Sequence, residues 1–334
     1  MPNRIRSEFS ASSTAREVLA GRDLTGRAIA VTGGASGIGY ETSLAFAAAG
    51  ARVLLAVRDP VAGRAAAAAI SAETGNPQVL AGELDLTRTG SVRACADWIA
   101  ATAPALDALI ANAGISMTPD IWTPEGLEQR FATNHLGHAL LISLLLPQLR
   151  RGAPSRVVVV SSAAHKRSPV VFDDIHYRGR AFDPFEAYGQ SKTANILHAM
   201  AFTRRFAGDG VVANSVMPGS ILTRLQRHIS TERMIINGLL TADGAPAPNL
   251  KTAAQGAATS VWAATAPELE AVGGLYLENC AEAEPVGTQT PPWEGWAAHA
   301  RDPEAAERLW AVTEELVGPL GYPPAFYARR STPW

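Results

Sequence analysis

The sequence predicts an α/β fold, a parallel sheet covered on both faces by helices. Two observations carry this reading. Short β-branched runs alternate with longer Ala/Leu-rich segments, and the runs are almost continuously apolar, as strands buried on both faces must be. A third observation is the glycine-rich turn directly after the first run.

The first strand is "AIAVT" (Ala28–Thr32), followed by a helical pattern over about 37–49. "RVLLAV" (Arg52–Val57) leads to a helix over 60–73, whose low-complexity run "AGRAAAAAI" suits a helix because alanine is the best helix former. "QVLAGELD" (Gln78–Asp85) and a helix over 89–102 come next, then "DALIANA" (Asp107–Ala113) and a long helix over 125–150. "RVVVVSS" (Arg156–Ser162), a helix over 187–207, "VVANSVM" (Val211–Met217) and "GGLYLE" (Gly273–Glu278) complete the alternation. Beyond about residue 218 the pattern loosens, and "DGAPAPN" and "TQTPPWEGW" read as surface loops. A last helix starts with Asp302 as N-cap and Pro303 at the first position, with Gly318 past its end. The organisation is an N-terminal arm (1–25), one domain (26–320) with an elaborated C-terminal third, and a tail (321–334).

Of the 334 residues 47% are hydrophobic and 18% charged, with a net charge of -2, an ordinary globular composition. With no basic block there is no electrostatic footprint for nucleic acid or an acidic membrane surface. Cys95 and Cys280 lack any paired spacing, so neither a disulfide framework nor a zinc site is expected, and a reducing compartment fits. Residues 1–26 do not read as a signal peptide, and the longest apolar run, "ALLISLLL" (Ala139–Leu146), is far short of the roughly 20 residues that span a bilayer. The expected location is cytoplasmic, without a membrane.

The segment "TGGASGIG" (Thr32–Gly39) has a strand before it and a helix after it. Gly33, Gly37 and Gly39, with Ser36 and Ile38 between them, allow a tight turn, close approach of a pyrophosphate and free N–H groups at a helix start. The end of the second strand then chooses the cofactor. Val57 cannot accept a bond from a ribose hydroxyl, whereas Arg58 can pair with a 2'-phosphate, so NADP is preferred over NAD; Asp59 is placed to compete for Arg58.

Tyr188 and Lys192, in "YGQSK", share a helix face at i, i+4. A nearby ammonium favours phenolate over phenol, so the pair reads as a general acid/base usable near neutral pH. The chain has 26 arginines and three lysines, Lys166, Lys192 and Lys251, so a lysine here is not a routine surface charge.

The ordered set of TGxxxGIG at 32–39, "NAG" at 112–114, Asn134, the serine pair Ser161–Ser162, YxxxK at 188–192 and "PG" at 218–219 resembles the short-chain dehydrogenase/reductase family over about residues 25–280. The resemblance implies a Rossmann-type, doubly wound, seven-stranded parallel sheet of order 3-2-1-4-5-6-7. It also implies that Asp85 and the N–H of Leu86 meet adenine, and that Asn112, Ala113 and Gly114 lie beside the cofactor. Pro218, Gly219 and Thr223 would pass the nicotinamide carboxamide. Ser162 rather than Ser161 would bind the substrate carbonyl, Tyr188 would give its proton, Lys192 would hold the nicotinamide ribose, and Asn134 would complete a proton relay. Neighbouring helices at 125–150 and 187–207 imply a homodimer or homotetramer, which the long C-terminal extension could block.

Ser162 and Tyr188 are 26 residues apart, more than in the shortest family members. The extra residues, within 164–187, and "TNHLGHALL" (Thr133–Leu141) are similar to the retinol dehydrogenase-like and WW-domain oxidoreductase-like branch. The expected activity is NADP(H)-dependent hydride transfer to or from a carbonyl or alcohol of a hydrophobic small molecule; the alternative is a non-catalytic dinucleotide sensor or scaffold.

Other residues invite sharper readings. His135 and His138 form an HxxH, but with no third ligand in view they read as structural and no metal is expected. His165 reads as a loop histidine, Asp173 and Asp174 as a turn or cap. Trp293 and Trp296 either line an apolar pocket or close the C-terminal loop over the core.

Overall fold

The computed structural model describes residues 4–119 and 121–318, so the expected tail at 321–334 lies outside the described residues. The elements run α1 (Ala15–Val18), β1 (Ala28–Thr32), α2 (Gly37–Ala48), β2 (Arg52–Val57), α3 (Pro60–Thr74), β3 (Val79–Glu83), α4 (Thr89–Thr102), β4 (Ala108–Ala111) and α5 (Gln129–Phe131). They continue with α6 (Gly137–Arg151), β5 (Ser155–Val160), α7 (Pro184–Phe206), β6 (Val211–Met217), α8 (Thr231–Ile236), α9 (Ala253–Thr265), β7 (Tyr276–Glu278), β8 (Ala281–Glu282) and α10 (Pro303–Val317).

Strands β1 to β7 are parallel in the order 3-2-1-4-5-6-7, as expected. An eighth strand is added, because Asn279 and Cys280 both take positive φ (52° and 56°) and turn the chain back so that β8 runs antiparallel to β7. Two adjacent left-handed residues make the tight reversal typical of a two-residue hairpin, and neither is a glycine that would have announced it.

Alternation along the strands sorts the core into two layers. Ala30, Leu54, Leu109 and Val157 face the side covered by α4, α6, α7 and α10, through Val92, Leu145, Phe202 and Leu309. Val31, Leu55, Ile110 and Val158 face the side covered by α2, α3 and α9, through Phe46, Ile70 and Trp262. Residues read as an N-terminal arm contribute Ala15, Val18 and Leu19 to this second layer.

Two helix boundaries differ from the sequence reading. The segment expected as one helix over 125–150 begins only at Gln129, because Trp122 bridges to Glu128 and the Glu128 carboxylate caps Arg130 N (3.0 Å) and Phe131 N (2.7 Å). It is then interrupted by a π turn, Ala132–Leu136, before α6 resumes. Likewise α7 starts at Pro184 rather than 187, since Asp183 accepts from Phe185 N (2.7 Å) and Glu186 N (3.0 Å) and proline suits the first turn.

The last helix has the expected cap, Asp302 accepting from Glu304 N at 2.9 Å. It lies against α7 and the π turn: Trp310 stacks on His198 with ring centroids 5.4 Å apart, Glu307 pairs with Arg205 at 2.7 Å, and Thr313 bonds His135 at 2.7 Å. Among the described residues no helix is long and apolar enough to cross a membrane.

Candidate active site

The C-terminal ends of β1, β4, β5 and β6 open on one edge of the sheet, where ligands of doubly wound folds gather. After β1 the chain turns through Gly33, at φ 67°, into α2. A Cβ on Gly39 would lie 2.3 Å from the Gly33 carbonyl and 2.5 Å from Asn112 Nδ2, so only glycine lets the loop fold this tightly. Ser36, the N-cap of α2, makes no side-chain capping bond, which leaves the first N–H groups of the helix, including that of Ile38, for an anion. Across the cleft Thr223 caps its own short turn and stands over Gly37: a Cβ there would be 3.5 Å from Thr223 Cγ2. These residues fit a pyrophosphate: a backbone cradle, unspent donors and no acidic side chain in the loop.

Arg58, just past β2, is exposed and makes no ion pair among the described residues. The expected competition from Asp59 does not occur, because that carboxylate caps α3 at Val61 N (2.9 Å) and Ala62 N (3.1 Å). Asp85 is half-buried and turns its Oδ1 to Thr87 N (3.0 Å) and Thr87 Oγ1 (2.7 Å). Leu86 is held against α6, where any Cβ on Gly137 would meet its carbonyl at 2.3 Å. Pro218 is buried at the end of β6, and Gly219 follows at φ 106°.

Ser162, Tyr188, Lys192 and Asn134 come from three separate segments. The two serines differ in their surroundings: Ser161 is buried and donates to the Lys192 carbonyl at 2.8 Å, while Ser162 is half-exposed and its hydroxyl accepts from Ala164 N at 3.1 Å. Lys192 donates from Nζ to the Val160 carbonyl (2.9 Å), and Nζ lies 5.6 Å from the centre of the Tyr188 ring. Asn134 sits in the π turn, fully buried, with Oδ1 accepting from Ile115 N (2.9 Å) and Nδ2 donating to the Ile115 carbonyl (3.0 Å) and Ser191 Oγ (2.9 Å). Gly114 closes the group, since a Cβ on it would be 3.1 Å from Asn134 Oδ1 and 3.6 Å from Lys192 Nζ.

One electrostatic expectation is reversed. Burial pushes the Tyr188 phenol up to about 12, against a smaller opposing pull from the neighbouring Ser162 hydroxyl, and pushes Lys192 down to about 8. Both charged forms are disfavoured because protein replaces water around them. At neutral pH the site therefore holds a protonated phenol beside a charged lysine, the state a proton donor needs.

A family profile described as short chain dehydrogenase matches residues 27–234. The chain belongs to the short-chain dehydrogenase family. It is 47% identical over 291 residues to a probable oxidoreductase of Streptomyces antibioticus, covering 86% of this chain and 96% of that one. It is 40% identical over 295 residues to retinol dehydrogenase 12 of Mus musculus, covering 88% and 87%, which places it in the retinol dehydrogenase-like branch. A solved structure titled as an active-site complex of Pseudomonas aeruginosa RhlG with NADP superposes with a TM-score of 0.61 at 26% identity, covering 77% of this chain and 95% of that one. The family carries out nicotinamide-dependent oxidoreduction, and this chain is an oxidoreductase of that kind.

In this dehydrogenase the HxxH pair diverges: His135 bonds Thr313 on α10, whereas His138 bonds Thr32 at the end of β1 (2.9 Å). The described residues bring together no group of three or more His, Cys, Asp or Glu suited to a metal. Asp174 forms the expected turn, accepting from Arg178 N (2.6 Å), Gly179 N (3.0 Å) and Arg180 N (3.0 Å), while Asp173 pairs away with Arg308. Trp296 closes the C-terminal loop, bonding the Ala283 carbonyl at 3.2 Å and packing near Tyr276 and Met217; Trp293 is exposed.

His165 is more than a loop histidine. Its Nδ1 donates to the Ser162 carbonyl (2.7 Å) and its Nε2 accepts from Ala297 N (3.1 Å), so it ties the serine to the C-terminal loop. Its position three residues after Ser162 was the only signal in the sequence. Gln190, inside the YxxxK motif, and Thr193, just after it on α7, hold the 164–187 segment: Gln190 bonds Val171 N (3.0 Å) and the Ile175 carbonyl (2.9 Å), and Thr193 bonds the Ser168 carbonyl (2.7 Å). The same helix thus positions both the phenol and the loop above it.

Proposed function

We propose that the chain reduces the carbonyl of a hydrophobic small molecule, or oxidises the corresponding alcohol, using NADP(H). When bound, the nicotinamide supplies or accepts the hydride. The chain's own groups do the rest. Tyr188 and Ser162 donate hydrogen bonds to the substrate oxygen as charge develops on it, and Tyr188 passes its proton on. Lys192 holds the nicotinamide ribose and keeps a positive charge beside the phenol. Asn134 orients a water for reprotonation, while Asn112, Ala113 and Gly114 flank the cofactor. Asp85 and Leu86 receive the adenine, the loop from Gly33 to Gly39 the pyrophosphate, and Pro218, Gly219 and Thr223 the carboxamide end. The observation that carries this reading is the grouping of Ser162, Tyr188 and Lys192 at one edge of the sheet, with Lys192 Nζ 5.6 Å from the centre of the Tyr188 ring and the glycine cradle alongside.

NADP over NAD is supported by an exposed Arg58 whose neighbour Asp59 is committed to a helix cap, and by the NADP named for RhlG. Arg58→Ala should weaken NADPH binding about 10- to 100-fold, the worth of charge-assisted hydrogen bonds to a phosphate, and leave NADH binding nearly unchanged. Titration of cofactor fluorescence reads both; an equal loss for the two cofactors would remove the basis for the preference.

An apolar substrate is supported by the retinol dehydrogenase 12 relative. The segments 164–187 and 220–300 form its pocket in this reading, and NADPH oxidation measured across apolar ketones and aldehydes tests it. A homodimer or homotetramer built through α6 and α7 meets an obstacle in α10, whose Glu307, Trp310 and Thr313 already engage Arg205, His198 and His135.

A further inference from the structure

His138 is 2% exposed and has no part in the mechanism above. It nevertheless touches both halves of the site. Its Nδ1 is 3.0 Å from the backbone carbonyl of Asn134, and its Nε2 is 2.9 Å from Thr32 Oγ1. Thr32 Oγ1 in turn accepts from the backbone N–H groups of Asn112 (2.9 Å) and Ala113 (2.9 Å), and the Thr32 carbonyl accepts from Asn112 Nδ2 (2.8 Å). On the other side the Asn134 amide donates to Ser191 Oγ (2.9 Å), which donates to the Tyr188 carbonyl (2.8 Å).

The chemistry of the partners fixes the direction of every proton in this chain. A carbonyl only accepts, so Nδ1 must carry the hydrogen that goes to Asn134. Burial pushes the imidazole down to about 4 and so keeps the ring neutral, which leaves Nε2 a lone pair; at 2.9 Å it takes the Thr32 hydroxyl hydrogen in preference to the Ile110 carbonyl, 3.4 Å from the same oxygen. Both lone pairs of that hydroxyl are then free for Asn112 N–H and Ala113 N–H. Only one tautomer of His138 satisfies all four bonds. A π turn, in which Gly137 N bonds back to the Ala132 carbonyl, holds Asn134 in this segment.

We propose that His138 is a positioning residue whose Nδ1–H tautomer couples the cofactor-side loop at Asn112 and Ala113 to Asn134 and, through Ser191, to the backbone of Tyr188. The proposal rests on the oxidoreductase reading for its kinetic consequences, but not for its hydrogen-bond pattern. The two ends of the ring have separable jobs. The Nε2 end, through Thr32, sets the loop beside the cofactor and governs cofactor affinity. The Nδ1 end sets the backbone of Asn134 and governs turnover.

Three variants separate the ends. His138→Leu removes both bonds. In His138→Gln the amide reaches Thr32 and keeps an acceptor there; in His138→Asn the shorter amide keeps the donor toward the Asn134 carbonyl but cannot reach Thr32. His138→Leu should lose about tenfold or more in both cofactor Kd and kcat, the range expected for buried groups left unpaired. Relative to it, His138→Gln should recover cofactor affinity while kcat stays low, and His138→Asn should recover kcat while affinity stays low. Melting temperatures identify variants that merely unfold, and nitrogen-15 NMR of the wild-type imidazole, assigned by its loss in His138→Gln, should show the neutral Nδ1–H tautomer at pH 7.

The opposite tautomer or an imidazolium would overturn the proposal, as would parallel recovery of Kd and kcat in both partial variants, or a lowered melting temperature with unchanged kinetics. If the wild type turned over no carbonyl, the oxidoreductase reading would fail, and the NMR pattern and NADPH titrations would still decide for or against the coupling.

Discussion

Tyr188→Phe should lower kcat by about 10²- to 10⁴-fold while NADPH binds as before. The phenol oxygen is the only part of Tyr188 removed, and the ring that packs beside Lys192 stays. What is lost is the proposed proton donor, a phenol that burial keeps protonated by pushing it up to about 12. Ser162 remains to hydrogen-bond the substrate oxygen, so a residual rate above background is expected. A competing tyrosine does not rescue the site. Tyr177 is strained at φ 54°, its buried phenol is pushed further up by desolvation, and its ring lies under the Arg180 guanidinium at 3.7 Å. Tyr177→Phe is the control and should leave the rate of the parent nearly intact; steady-state rates and fluorescence titration with NADPH report both variants.

The second large effect is at Lys192. With this amine at about 8, kcat/KM for NADPH should fall as pH rises through 8, because the ammonium proposed to hold the ribose, and its charge beside Tyr188, is lost. Folding stability should move the other way. Between about 8 and the ordinary lysine value of 10.5 the unfolded chain binds more protons than the folded one. Stability attributable to this group therefore rises with pH across that window, by roughly 3 kcal/mol in all. An alkaline loss of activity without loss of melting temperature would separate titration of the site from unfolding. Lys192→Arg should move the limb beyond pH 10 at a reduced rate, and Lys192→Met should cost about 10²-fold or more at every pH. A limb that persists unchanged in Lys192→Arg would assign it to another group.

Much of the fold was legible because the signals were local. Runs such as "VVVV" after Arg156 can only be central strands, and Asp302–Pro303 announces a helix start by cap and φ alone. The failures share a cause. The break at 128–136 depends on a fully buried Glu128–Arg130 pair at 2.9 Å and on packing of the π turn, neither of which has a sequence period. The eighth strand depends on two non-glycine residues in left-handed conformation. The grouping of Ser162, Tyr188 and Lys192 at one sheet edge was legible through motif order, and the tight glycine turn through its strand-to-helix context. The sign of the Tyr188 shift was not, since spacing reveals a neighbouring charge but not how much water is displaced. His138 was visible in the HxxH pattern but only as half of a metal pair, because its partner Thr32 is 106 positions away.

The most direct test of the central claim is isotope transfer. NADPH carrying deuterium on the transferable C4 position is mixed with wild-type protein and an apolar ketone or aldehyde, and the product is read by mass spectrometry. The expected product is an alcohol with one deuterium on the former carbonyl carbon, and almost none with Tyr188→Phe. Tight NADPH binding with no deuterated alcohol from any member of an apolar carbonyl panel would contradict it and favour a dinucleotide-binding protein without turnover.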